Sequence, residues 1–224
     1  MNLRQTTAMS DAMLQDLKAL VECESPTEDL EACNRVIELA GKISERVTGI
    51  KGDLIQERGR PVFWLGSKSP KVALLAHLDT VWPIGSFTPL WKIEGDLAKG
   101  PGCYDMKAGF IQALYAMKEL DKNQVALIAT TDEETGSATS RDLIERVSNG
   151  AKAVLVLESA IDGKAFSFQQ FLSNFRLALL APLPVLVADL AVKMLACNSD
   201  RPIPKLAGLI SRQLFHFVAM GKMQ

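Results

Sequence analysis

His77 and Asp79 stand two residues apart where an apolar run ends, in LLAHLDTVWPIGSF, residues 74–87. On an extended strand residues i and i+2 share a face. The Asp79 carboxylate can therefore reach the His77 imidazole and hold it in one orientation, as carboxylates do behind metal-ligating histidines. The chain has only two histidines, so this placement is informative. Acidic residues recur at the ends of two later apolar runs: Asp132, Glu133 and Glu134 after QVALIATT, and Glu158 after AKAVLVL. Asp105 lies in the glycine-rich KGPGCYDMKAG, just ahead of a helical stretch. Carboxylates gathered at one rim repel one another unless something positive lies among them. A mixed histidine and carboxylate set suits zinc, or cobalt or manganese in its place. Glu133 and Glu134 are neighbours and diverge, so one can ligate a metal while the other faces a water. Singly, each feature has an ordinary structural explanation: a packed histidine, a solvated acidic turn, a tight glycine turn. Their recurrence at successive strand ends argues for one shared site.

The elements that must position these residues are legible as periodicities. Met13, Leu14, Leu17, Leu20 and Val21 have helical spacing and predict a helix over about residues 9–22. Ser25, Pro26 and Glu28 have the order of an N-cap, a first-turn proline and a capping-box glutamate. They predict the start of a second helix whose buried stripe is Val36, Ile37, Ala40 and Ile43. DLIQE and PVFWLG read as short strands around the turn RGRP. KVALLAH, QVALIATT and AKAVLVLES are continuous apolar runs of strand length, as in a sheet covered on both faces. Helical MKAGFIQALYAMKEL and SATSRDLIERV separate them. The alternation predicts an α/β fold with a mixed, partly parallel sheet flanked by helices. In such sheets ligands collect at the carboxyl ends of the strands, where the acidic residues fall.

Composition narrows the function classes. With 224 residues, 48% of them hydrophobic, the chain has room for one sizeable core or two small ones. A net charge of -1 leaves no basic surplus for phosphate contacts, so nucleic acid is not an expected partner. Cys23, Cys33, Cys103 and Cys197 are scattered without a CxxC pair, which predicts reduced thiols and a cytoplasmic protein. The N-terminal stretch has no uninterrupted apolar segment, so no signal peptide is expected. Leu177–Ala196 is broken by prolines and carries Asp189 and Lys193, so no membrane span is expected either.

Together HLDTVWP, GPGCYDMKAG, TTDEETGSATSRDLI and LVLESA resemble the M20 metallopeptidase family, and especially its glutamate carboxypeptidase-like branch. Order and spacing agree over roughly residues 9–180. The resemblance implies the zinc-exopeptidase catalytic fold and two zinc ions per site. It implies that His77 ligates one metal, that Asp79 orients His77, and that Asp105 bridges the ions. Glu133 would be the general base, Glu134 a ligand of the second metal and Glu158 a ligand of the first. The implied reaction is metal-assisted hydrolysis of an amide in a small peptide or N-acyl amino acid, releasing a C-terminal residue such as glutamate. An N-acyl amino acid deacylase would share this site. So would an inactive remnant that only binds metal or a partner.

The resemblance divides the chain. Residues 1–165 read as the N-terminal part of the catalytic domain, and 166–224 as a divergent apolar tail. After FRLALL the family pattern stops, which predicts a truncated or frame-disrupted product lacking the lid and dimerisation domain. Homodimerisation is then in doubt. No counterpart of the family's later histidines is found. His216, in RQLFHFVAM, has apolar neighbours and reads as packed and not as a ligand. PVLVADLAVKMLA, from Pro184 on, reads as an amphipathic helix, and the tail's apolar residues could cover a bare sheet edge.

Overall fold

The computed structural model describes residues 3–94, 97–158 and 185–187. Of the expected tail only 185–187 are among them; His216 and the remainder lie outside the described residues. Helices α1 (Leu3–Glu22) and α2 (Leu30–Thr48) come first, followed by the hairpin β1 (Asp53–Glu57) and β2 (Arg60–Gly66). Arg58 and Gly59 form the two-residue hairpin turn, both with positive φ, the backbone that matches the twist of paired strands. Then come β3 (Val72–His77), the short pair β4 (Lys92–Glu94) and β5 (Leu97–Lys99), α3 (Ala108–Met117), β6 (Val125–Thr130), α4 (Arg141–Gly150) and β7 (Ala153–Val156).

The main sheet runs β1-β2-β6-β3-β7-β8, where β8 is Val185–Val187. Strand β3 pairs in parallel with both β6 and β7, while β2 lies antiparallel to β6. The mixed, partly parallel sheet expected from the alternating pattern is thus present. Strand β8 corrects one expectation, since 185–187 lie within the segment read as an amphipathic helix. Val-Leu-Val is apolar with a β-branched valine at each end, and β7 would otherwise present an unpaired edge; β8 pairs with it in parallel.

The start of α2 is a second correction. Asp29, not Ser25, is the cap, its Oδ1 accepting the Ala32 N–H at 2.8 Å. Ser25 and Pro26 are held elsewhere: Ser25 Oγ donates to the Leu78 carbonyl at 2.6 Å, and Pro26 forms a β-bridge with Thr80. The link between α1 and α2 is thereby drawn out beside the chain leaving β3, and the helix starts only once that pairing ends.

Alternation along the buried strands fills both sheet faces. Phe63, Leu65, Leu74, Leu127 and Leu155 face the layer of α1, α2 and α3. Val62, Trp64, Leu75, Ile128 and Val154 face α4 through Leu143 and Val147. Register then levels the strand ends. His77 pairs with Thr130, and Leu75 pairs with Val156, two residues before Glu158.

One glycine governs how closely α3 approaches that end of the sheet. A Cβ on Gly109 would lie 2.4 Å from the Leu157 carbonyl oxygen, next to Glu158. Helix propensity alone favours Ala over Gly by about 1 kcal/mol, but a backbone clash costs about 1–3 kcal/mol. Gly109→Ala is therefore expected to destabilise the fold by up to about 2 kcal/mol in urea unfolding; a stabilised variant would show that the helix has room to retreat.

Candidate metal centre

Strand β3 delivers His77 to the rim fully packed, 1% exposed, with Asp79 at 0% just beyond it. The ring's Nδ1 lies 3.1 Å from the Asp79 main-chain oxygen and 3.3 Å from its Oδ1, the latter an ion-pair contact without hydrogen-bond geometry. Asp79 Oδ2 accepts from Thr27 Oγ1 at 2.8 Å and from the Glu134 N–H at 3.2 Å. The Asp79 carboxylate therefore touches both the histidine and the turn bearing the glutamates. This is the pairing expected from the i, i+2 spacing, with Thr27 added from the link between α1 and α2.

The other imidazole nitrogen faces the acidic groups. Nε2 of His77 is 3.1 Å from Asp105 Oδ1, 3.5 Å from Glu158 Oε1 and 3.8 Å from Glu133 Oε2. Asp105 comes from a turn of π type, Cys103–Lys107, entered through left-handed Gly102; the Asp105–Met106 peptide is cis. Glu133 and Glu134 come from the single 3₁₀ turn after β6. Donor atoms of His77, Glu133 and Glu158 lie within 4.8 Å of one another, and so do those of His77, Asp105 and Glu134. Five of the six expected residues thus contribute atoms to two overlapping clusters, and the sixth, Asp79, stands behind His77. Asp132 does not join them: its carboxylate turns inward to the residues before α4.

The electrostatics reflect the crowding. Burial pushes the Glu133 and Glu134 carboxyls up to about 7, with neighbouring carboxylates adding to the effect against the pull of His77. Burial likewise raises Glu158. Contact with His77 holds Asp105 below the usual carboxylate range. Burial alone would raise Asp79 and lower His77; the contacts among Asp79, His77, Asp105 and Glu158 outweigh it in both cases. A cluster that draws protons onto itself in this way is one that accepts a cation. Two ligands about 2.1 Å from a tetrahedral zinc lie about 3.4 Å apart, and the separations from Nε2 bracket that value. The donor set and its spacing fit a divalent ion.

Three contacts that the sequence did not announce hold the loops in place. Buried Lys107, two residues after Asp105, donates from Nζ to the Leu20 and Cys23 carbonyls at 2.9 and 3.2 Å. It thereby fastens the Asp105 turn to the end of α1, where the helix dipole favours a cation. Arg60 Nη1 donates to the Thr27 and Thr131 carbonyls at 2.6 and 2.9 Å, tying β2 to both site loops. Thr27 is the third. None lies in an apolar or acidic pattern that would have marked it.

Residues 73–172 match Peptidase family M20/M25/M40. The chain is 32% identical to carboxypeptidase G2 of Pseudomonas sp. (strain RS-16) over 169 residues, which are 68% of this chain and 40% of that protein. It therefore spans about two fifths of the length of that relative. Among solved structures it is similar to the M20 family metallo-carboxypeptidase Sso-CP2 from Sulfolobus solfataricus, at TM-score 0.54 and 24% identity, covering 69% of this chain and 39% of the other. Human carnosine dipeptidase 1 gives TM-score 0.55 at 20% identity, covering 73% and 42%. The two structures match the mixed sheet and its flanking helices. The chain belongs to the M20 peptidase family.

Proposed function

We propose that this protein is a metallohydrolase that holds two divalent ions, zinc by preference with cobalt or manganese as substitutes. In this reading it cleaves an amide bond in a small peptide or N-acyl amino acid and releases a C-terminal residue such as glutamate. The observation that carries the reading is the approach of Asp105, Glu158 and Glu133 to within 3.1–3.8 Å of one buried imidazole nitrogen. Similarity to a carboxypeptidase supports the reaction class. The scattered free thiols of Cys23, Cys33 and Cys103 support a cytoplasmic setting. Among the described residues no helix is long and apolar enough to cross a membrane.

His77 and Glu158 would hold the first ion, Glu134 the second, and Asp105 both. When bound, the ions supply Lewis-acid polarisation of the scissile carbonyl and activate a water. The rest falls to the chain's own side chains. Asp79 keeps Nδ1 of His77 engaged, so that Nε2 presents its lone pair to the cluster. Glu133 has the longest of the three separations from Nε2 and its side chain is 25% exposed, so water reaches it. It would take a proton from the attacking water and pass it to the leaving amine. An open groove beside Glu134, lined by Thr27, Thr80, Pro83 and Ile84, offers the substrate a place to lie.

The test is metal content and hydrolysis measured on one purified sample, reconstituted with zinc or cobalt and given folate-type and N-acyl glutamate substrates. His77→Ala is expected to abolish tight zinc uptake; unchanged stoichiometry would remove His77 from the site. Glu133→Gln is expected to keep the metal and lower turnover by about 10²–10⁴-fold, the usual worth of a general base. Wild-type turnover in that variant would assign the proton transfer elsewhere.

A further inference from the structure

The acidic run after β6 contains one member that never reaches the cluster, and its surroundings are unusual. Asp132 is 2% exposed. Its Oδ2 accepts from the Thr139 N–H at 2.7 Å, Thr139 Oγ1 at 2.5 Å and the Ser140 N–H at 3.0 Å. Its Oδ1 accepts from Ser140 Oγ at 2.6 Å. Its main-chain oxygen accepts from the Ser137 N–H at 2.8 Å. A buried carboxylate is costly unless its lone pairs are met by donors, and here four donors meet it at the start of α4.

These contacts close a small ring, residues 132–140, around the turn Glu133–Thr135. The ring passes through Gly136 and Ser137, both at positive φ. One side of the turn is fastened to α4 by Asp132. The other is fastened to the segment just past β3 through the Glu134 N–H on Asp79. Successive side chains of a 3₁₀ turn point about 120° apart, so rotating the turn swings Glu133 and Glu134 together, one in and one out. Two tethers on opposite sides are what stop that rotation.

We propose that Asp132 is the positioning residue of the metal centre: it touches neither ion nor substrate, and it sets the direction of Glu133 and Glu134 by anchoring their turn to the start of α4. The proposal rests on the metal-binding reading above and deepens it.

The test titrates the metal-free protein with cobalt(II), reading the visible absorption of the bound ion, and measures thermal unfolding of the same samples. Asp132→Asn keeps the side chain's size but removes its charge and turns one acceptor into a donor, so the bonds from Thr139 and Ser140 lose their charge assistance and the Ser140 hydroxyl must turn to accept. Its cobalt affinity is expected to fall about tenfold or more, the range typical of partners behind metal ligands. Leu143→Ala is the control, since it loosens α4 from the sheet without touching the ring. It is expected to lower the Tm and leave cobalt affinity unchanged. Thr139→Val and Ser140→Ala, each removing a single hydroxyl donor, are expected to weaken cobalt binding by less than Asp132→Asn, and they serve if that variant does not fold. Wild-type affinity in the Asp132 variant, or in both hydroxyl variants if that one does not fold, overturns the positioning role alone. So does an equal loss in Leu143→Ala, which would mean that any loosening of α4 has the same effect. A wild-type protein that takes up no cobalt overturns the metal-binding reading, and this inference with it.

Discussion

Negative charge converging on a single imidazole nitrogen is the constraint around which this protein is arranged. Three carboxylates stand within 3.8 Å of Nε2 of His77, and a fourth, Asp79, backs the ring from the other side. Like charges this close cannot all ionise unless a cation lies among them. The fold meets the problem by separating roles according to burial. His77 and Asp79 are sealed, and the hydrogen bonds that Asp79 accepts fix the ring. Asp105, with a side chain 56% exposed, stays towards solvent, while Glu158 at 16% lies between these extremes. The rigid half of the centre is therefore the histidine, and the carboxylates approach it from the open side.

What keeps those carboxylates in reach is a layer of side chains whose partners are largely main-chain groups. Thr27 and the Glu134 N–H meet at Asp79. Lys107 grips the end of α1. Arg60 joins the carbonyls of Thr27 and Thr131. Each bond crosses between segments far apart in sequence, so the geometry of the centre is a property of the folded layers and of no single loop. Buried Lys107 shows the cost of this arrangement: its ammonium is pushed down to about 8 by burial, yet both carbonyls it touches need a donor at a helix end.

Much of this was legible from residue order. Strands buried on both faces announce themselves as unbroken apolar runs, so β3, β6 and β7 and the residues at their ends could be read directly. The parallel pairing followed from the helices between them. Contacts made by single polar side chains over long separations were not legible. Ser25, Pro26 and Glu28 have the local pattern of a helix start, but Ser25 is drawn to the Leu78 carbonyl instead and Asp29 caps the helix. Asp132 looked like a member of the acidic rim because it adjoins Glu133; only the position of α4 shows where it turns. The stretch Val185–Val187 is too short for period to decide between helix and strand, and the open edge of β7 decided it.

The order of strands across the sheet differs from their order along the chain, and this has a consequence for assembly. Strands β2 and β3 are successive in sequence, yet they are not neighbours; β6, some fifty residues further on, lies between them. As the chain emerges from the ribosome, His77 and Asp105 are made before the strand that seats β3 in the sheet, and Glu158 comes later still. The cluster around His77 is not assembled until residue 158 has joined its neighbours, because β3 is seated in the sheet only through β6 and β7. A nascent chain thus carries these groups singly and apart. The cluster forms only on closure of the sheet, so an ion held there would be bound by the completed fold and would add its binding free energy to folding.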